Sequence, residues 1–238
     1  MDMQNQGEQN NQGQNQNKKK ITIILADDHP LMRDSVRGHL ESQADIEIIA
    51  EACNGEEAVE LATRLVPDLV IMDIAMPKMN GLEATQQIKL NNPKIAILVL
   101  TVHTDSEYIL KILEAGAAGY ITKDIVGEKL IPIIHSVING ESVFSNKAME
   151  RILKYALKYT PDASIPVRQY SLHPRELEIL RLAAKGMSNK AIARQLNLNV
   201  QTVKSYFVSI FDKLAVSSRT EAVITGLRKG LLTNDDIR

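Results

Sequence analysis

Five short apolar runs alternate with five segments of helical periodicity between Ile21 and Asn139, and few folds can accommodate that alternation. The runs are Ile21–Ala26, Ile46–Ala50, Leu69–Met72, Ile95–Leu100 and Gly119–Ile121. The helical segments are Leu31–Glu41, Gly55–Leu65, Leu82–Asn91, Ser106–Ala115 and Val126–Asn139. The first, third, fourth and fifth runs each read as a short buried strand. Strands of that kind, separated by helices, predict a parallel sheet covered on both faces.

Right-handed crossovers leave few topologies, and the flavodoxin-like doubly wound order is the natural one. In such a sheet ligands bind at the carboxyl ends of the strands, and the polar residues of this sequence fall there. Asp27 and Asp28 follow the first run, Asp73 the third, Thr101 the fourth, and Lys123 the fifth. Three carboxylates converging on one edge repel one another unless a hard divalent cation such as Mg2+ neutralises them. A lysine and a hydroxyl beside that cluster suit a phosphoryl group carried by a carboxylate. The pattern predicts a site that holds an acyl phosphate.

The formal net charge of −1 hides a division. From Lys20 to Gly140 there are ten Lys+Arg against eighteen Asp+Glu, and from Gln169 to Arg238 eleven against six. An acidic first half and a basic second half predict two domains with different partners, the basic one a candidate for nucleic acid. Residues 1–19, dominated by Gln and Asn with almost nothing apolar to bury, are expected to form a disordered tail. The expected boundaries are 20–140 for the α/β domain, 141–168 for a helical and extended connection, and 169–238 for the second domain. In the connection, Lys147–Lys158 has amphipathic spacing and 161–167 carries two prolines. The single Cys53 suits a reducing compartment. With no run of membrane-spanning length and no apolar signal-like core, we expect a cytoplasmic protein with no membrane partner.

Asp27-Asp28, Asp73, Thr101, Tyr120 and Lys123, with Met76-Pro77 and Gly81 behind the third acid, resemble the receiver domain of two-component response regulators. The resemblance implies that Asp73 is the phosphoacceptor. Asp27, Asp28 and Asp73, joined by the backbone carbonyl of Ala75, would hold Mg2+. Lys123 and Thr101 would contact the phosphoryl oxygens, and Tyr120 would be the switch residue that moves into the space Thr101 vacates. A histidine kinase is the implied donor.

From Leu172 onward only helical signals occur: Pro174–Lys185, Asn189–Leu196, Val200–Leu214 and Arg219–Lys229. Ser188 and Asn199 are placed to cap two of them, and Ser218 with Glu221 reads as a capping box. Helix, Asn-Leu-Asn turn, helix is helix-turn-helix spacing. Arg175-Glu176, Gly186, Ser188-Asn189-Lys190, Thr202-Val203-Lys204 and Arg219-Thr220-Glu221-Ala222 make the segment similar to the DNA-binding domain of LuxR-type regulators. With the receiver, that is the NarL/FixJ type.

The resemblance makes Val200–Leu214 the recognition helix. Val203, Phe207, Ile210 and Phe211 are expected in the core, and Gln201, Lys204, Ser205 and Val208 on DNA, with Lys190, Arg194 and Lys213 as phosphate neutralisers. Two positions depart from the family pattern. His173 stands where Ser or Thr usually caps, which predicts a looser helix start, and Tyr206 replaces a His.

The fold expected is thus a five-stranded (βα)5 receiver followed by a small all-α helix-turn-helix domain. The function expected is a phosphorylation-controlled transcriptional regulator that binds double-stranded DNA as a homodimer, gated by a receiver contact that covers the recognition helix. An Asp-based phosphohydrolase would need a water-activating group near Asp73, and Ala75 offers none, so no enzyme is expected. The alternative is a phosphorylation-independent DNA-binding regulator with a vestigial receiver.

Overall fold

A computed structural model describes residues 20–101, 111–123, 129–141 and 172–236 of the chain. The tail, the start of the helix expected over Ser106–Ala115, and the connection with Lys147–Lys158 lie outside those residues. The five strands are β1 (Ile21–Ala26), β2 (Ile46–Ala52), β3 (Leu69–Asp73), β4 (Ala96–Thr101) and β5 (Gly119–Thr122). They form one parallel sheet in the order β2-β1-β3-β4-β5. The order reverses between β1 and β3, and such a reversal opens a crevice at the carboxyl ends of those two strands.

Strand alternation divides the sheet's side chains between two cores. Ile24, Ala26, Val70, Met72, Ile97 and Val99 face α2 (Gly55–Leu65) and α3 (Gly81–Asn91), which supply Ala58, Ala62, Ala84 and Ile88. Ile23, Leu25, Ile71, Leu98 and Leu100 face α1 (Pro30–Glu41) and α4 (Leu130–Ile138), which supply Val36, Leu40, Leu130 and Ile134. β2 runs to Ala52, beyond the expected Ala50. After a register irregularity between Ile23 and Ile24, pairing with β1 continues through Leu25–Glu51 and Ala26–Ala52.

The second domain packs α5 (Pro174–Ala184), α6 (Asn189–Gln195), α7 (Val200–Leu214) and α8 (Arg219–Arg228) around Ile179, Ile192, Val203, Phe207, Ile210 and Leu227. Phe211, expected in this core, lies at its margin. Ser188, Asn199 and Ser218 cap α6, α7 and α8 through their side-chain oxygens. The expectation of a looser α5 start is corrected: His173 Nδ1 accepts from the Arg175 N–H at 3.3 Å, and Glu176 Oε2 accepts from the His173 N–H at 2.6 Å. An imidazole nitrogen replaces the usual hydroxyl as the acceptor.

Buried Glu176 also accepts from Lys213 Nζ, at 2.9 and 2.7 Å, and from Ser209 Oγ at 2.6 Å. Burial alone would raise its pKa, but the lysine, the hydroxyl and the His173 amide hold it below the ordinary value. A carboxyl depressed in the folded state adds stability above its unfolded pKa, and that stability is lost as pH falls through the folded pKa. Thermal unfolding followed below about pH 4.5 should therefore show the DNA-binding domain weakening. Glu176→Gln should remove that acid-side slope and cost about 2 kcal/mol at neutral pH.

Candidate functional site

The crevice between β1 and β3 gathers the residues that the sequence placed at strand ends. Asp27 and Asp73 are buried, Asp28 and Lys123 are partly exposed, and Thr101 is buried at the end of β4. Lys123 Nζ lies 2.8 Å from Asp27 Oδ2 and 2.9 Å from Asp73 Oδ2. Burial alone would lower the lysine's pKa. The two carboxylates outweigh burial and hold it above its ordinary value, so the ammonium is charged across the physiological range.

Asp27 Oδ1 accepts from the His29 N–H at 2.9 Å, and Asp73 Oδ1 from the Ile74 N–H at 2.7 Å. Apart from the ion contact with Lys123, Asp27 Oδ2 and Asp73 Oδ2 make no hydrogen bond among the described residues. Ligand atoms of Asp27, Asp28, His29 and Asp73 all lie within 4.8 Å of one another. Clustered oxygen donors with spare lone pairs fit a hard divalent cation, so the residues present suit Mg2+. Ala75 is exposed in the loop beyond Asp73.

Neighbouring residues hold this cluster in place, and Arg33, Arg37 and Glu51 among them carried no sequence signal. Arg33 Nη1 donates to the Asp27 carbonyl at 2.7 Å, and its Nε lies 3.2 Å from Glu51 Oε2. Arg37 pairs with the other Glu51 oxygen. Gly81, the first residue of α3, sits against the Asp73 backbone and donates its N–H to the Ile74 carbonyl at 2.9 Å. Tyr120, on β5, is half-buried against the α2–α3 side of the sheet.

On α7, Gln201, Ser205 and Val208 are exposed, and Val208 is 61% exposed despite its apolar side chain. Lys190 and Arg194 are exposed on α6. Lys213 is committed to Glu176, and Lys204 Nζ lies 3.3 Å from Asn139 Oδ1 of the first domain. The Phe211 ring rests on Gly140, so two side chains of α7 meet the end of α4.

A doubly wound sheet with acids, hydroxyl and lysine at one edge, followed by a helix-turn-helix, defines a DNA-binding protein governed by a receiver. The response regulator receiver domain model matches residues 23–135, and the model of the LuxR family of bacterial regulatory proteins matches 170–225. The chain belongs to the NarL/FixJ-type response regulators, which are phosphorylation-controlled transcriptional regulators. It is similar to the transcriptional regulatory protein LiaR of Bacillus subtilis, with 38% identity over 214 residues, 89% of this chain and 99% of LiaR. Against the nitrate/nitrite response regulator NarL of Escherichia coli it is 37% identical over 208 residues, 87% of this chain and 95% of NarL. Among solved structures, a LuxR-family two-component response regulator from an Aurantimonas species is 34% identical with a TM-score of 0.52. That match covers 58% of this chain and 98% of the other.

Proposed function

We propose that Asp73 accepts a phosphoryl group from a histidine kinase, and that the resulting acyl phosphate governs dimerisation and DNA binding. The observation that carries this reading is Lys123 poised 2.8 Å from Asp27 and 2.9 Å from Asp73 at the sheet's reversal point. The Asp73 oxygen attacks phosphorus as the P–N bond of the kinase phosphohistidine breaks. Lys123 meets the charge on the phosphoryl oxygens, since such transfer is mostly positioning and charge stabilisation. Asp27, Asp28, Asp73 and the Ala75 carbonyl would hold Mg2+, which when bound supplies further charge neutralisation. Thr101 hydrogen-bonds the phosphoryl group, and Tyr120 reports that change on the neighbouring surface. No further turnover chemistry is assigned to the site, because Ala75 brings no acid or base to Asp73.

Residues 20–140 form the switch and 169–238 the output domain, joined by 141–168. Gln201, Lys204, Ser205 and Val208 face the major groove. Lys190 and Arg194 neutralise phosphates, and Lys213 adds charge from beside Glu176. An apolar Val208 suits contact with a thymine methyl. A homodimer reads two half-sites of double-stranded DNA. No described helix is long and apolar enough to cross a membrane, and we place the protein in the cytoplasm.

Selection from random DNA at fixed salt, with and without Mg2+ and a small-molecule phosphodonor, tests the reading. A dyad-symmetric motif enriched only after phosphorylation is expected. The same motif in both samples would favour the rival, a regulator whose receiver does not gate binding.

A further inference from the structure

Lys89 is a buried charge that phosphoryl chemistry does not use. It sits near the carboxyl end of α3 with its side chain 7% exposed. Its Nζ lies 2.6 Å from the Pro93 carbonyl and 3.2 Å from the Ile95 carbonyl, both within the receiver. It also lies 2.6 Å from Ser217 Oγ and 3.0 Å from Glu221 Oε2, both in the DNA-binding domain. Glu221 is the acid of the α8 cap: it accepts from the Ser217 N–H at 2.9 Å, and its own N–H donates to Ser218 Oγ at 3.2 Å.

The surroundings are shaped for this contact. A Cβ on Gly116 would come within 2.8 Å of Lys89 Cε and 3.2 Å of Glu221 Oε1, and φ there is +98°. Around this centre the pairs between the domains are more exposed to solvent. Lys94–Asp212 at 2.7 Å is exposed on both sides, and Arg228–Glu114 stands at 3.7 Å.

We propose that the carboxyl end of α3 is the receiver's docking surface for the α8 cap of its own DNA-binding domain, with Lys89 pinned to Glu221 and Ser217. The occupant is in place, and its chemistry matches: a partly buried carboxylate and a hydroxyl meet an ammonium with no other acidic partner among the described residues. This deepens the regulatory reading above and rests on it, because closing this contact also brings Lys204 and Phe211 of α7 onto the receiver.

α3 is placed to connect the pin to the phosphoacceptor. Its first residue, Gly81, abuts the Asp73 backbone, and Lys89 follows about 12 Å further along the same helix. The route runs through α3, which packs on β3. Burial lowers the Lys89 pKa, and Glu221 only partly offsets this. A buried pair of this kind is strained between desolvation and attraction, so it tolerates little loss on either side.

The test uses the full chain without phosphodonor. It reads hydrogen exchange of α8 amides together with affinity for the selected DNA. Lys89→Glu, which sets two carboxylates against each other, should expose α8 and bind DNA at least tenfold more tightly than the parent. Phosphorylation should then add less than twofold. Lys94→Glu should change little, and the exchanged pair Lys89→Glu/Glu221→Lys should restore protection. Parent-like exchange in a Lys89→Glu protein that still accepts phosphate would overturn the proposal. Should that variant not fold, Glu221→Gln decides by the same readings. Exposed α8 with unchanged affinity would uphold the docking surface and refute gating of DNA binding through it.

Discussion

Asp73→Asn should bring phosphoryl incorporation from a small-molecule donor down to background, read on a phosphate-affinity gel. An amide oxygen is too weak a nucleophile to form the acyl phosphate. The bound phosphate of the parent should be released by hydroxylamine, as an acyl phosphate is. Label retained by the Asp73→Asn protein would move the acceptor to another carboxylate and remove the basis for reading the β1–β3 crevice as the site. DNA binding by the same variant should match that of the unphosphorylated parent at every donor concentration.

Gly81→Ala should have the largest effect on stability of any single-methyl change near the site. The added Cβ would lie 2.0 Å from the Asp73 carbonyl oxygen and 2.9 Å from the Ile74 Cα. Both are backbone atoms, so neither can rotate away, and α3 must separate from the end of β3. Overpacking against fixed atoms costs about 3 kcal/mol, which lowers the melting temperature of a domain this size by roughly 10 °C. Gly38→Ala is the control. Nothing lies within 4 Å of the Cβ it would add on α1, and Ala there should stabilise by about 0.5–1 kcal/mol through its better helix propensity. A Gly81→Ala protein as stable as its parent would show that α3 is free to shift at its start.

Residues whose chemistry breaks a local pattern were legible in the sequence. Asp27, Asp73, Thr101 and Lys123 each follow an apolar run, so a polar group stands out where a buried strand ends. The caps Ser188, Asn199 and Ser218 were legible because capping depends on near neighbours alone. The ion pairs of Lys89, Arg33, Glu51 and Glu176 were not. The partner of each is distant in sequence: Glu221 for Lys89, Glu51 for Arg33, Lys213 for Glu176. No periodicity distinguishes a lysine that meets water from one that meets a second domain. The α5 start failed for a different reason: capping preference is averaged over side chains, and here one imidazole nitrogen takes the place of the hydroxyl.

Arg219 gives the second domain its mechanical character. The guanidinium is buried at the head of α8, 5.2 Å over the Phe207 ring of α7, and it donates to the carbonyls of Ala183 and Met187 and to Asn189 Oδ1. Burial draws its pKa down to about 10, with Glu141 across the gap opposing, so it stays cationic in the cell. One side chain thereby ties α8 to α5, α6 and α7, four helices in all. Whatever takes hold of α8 carries the reading surface of α7 with it. Under the docking proposed above, a grip a few atoms wide on α8 can therefore steer α7 as a whole, and the receiver never needs to know which sequence α7 reads.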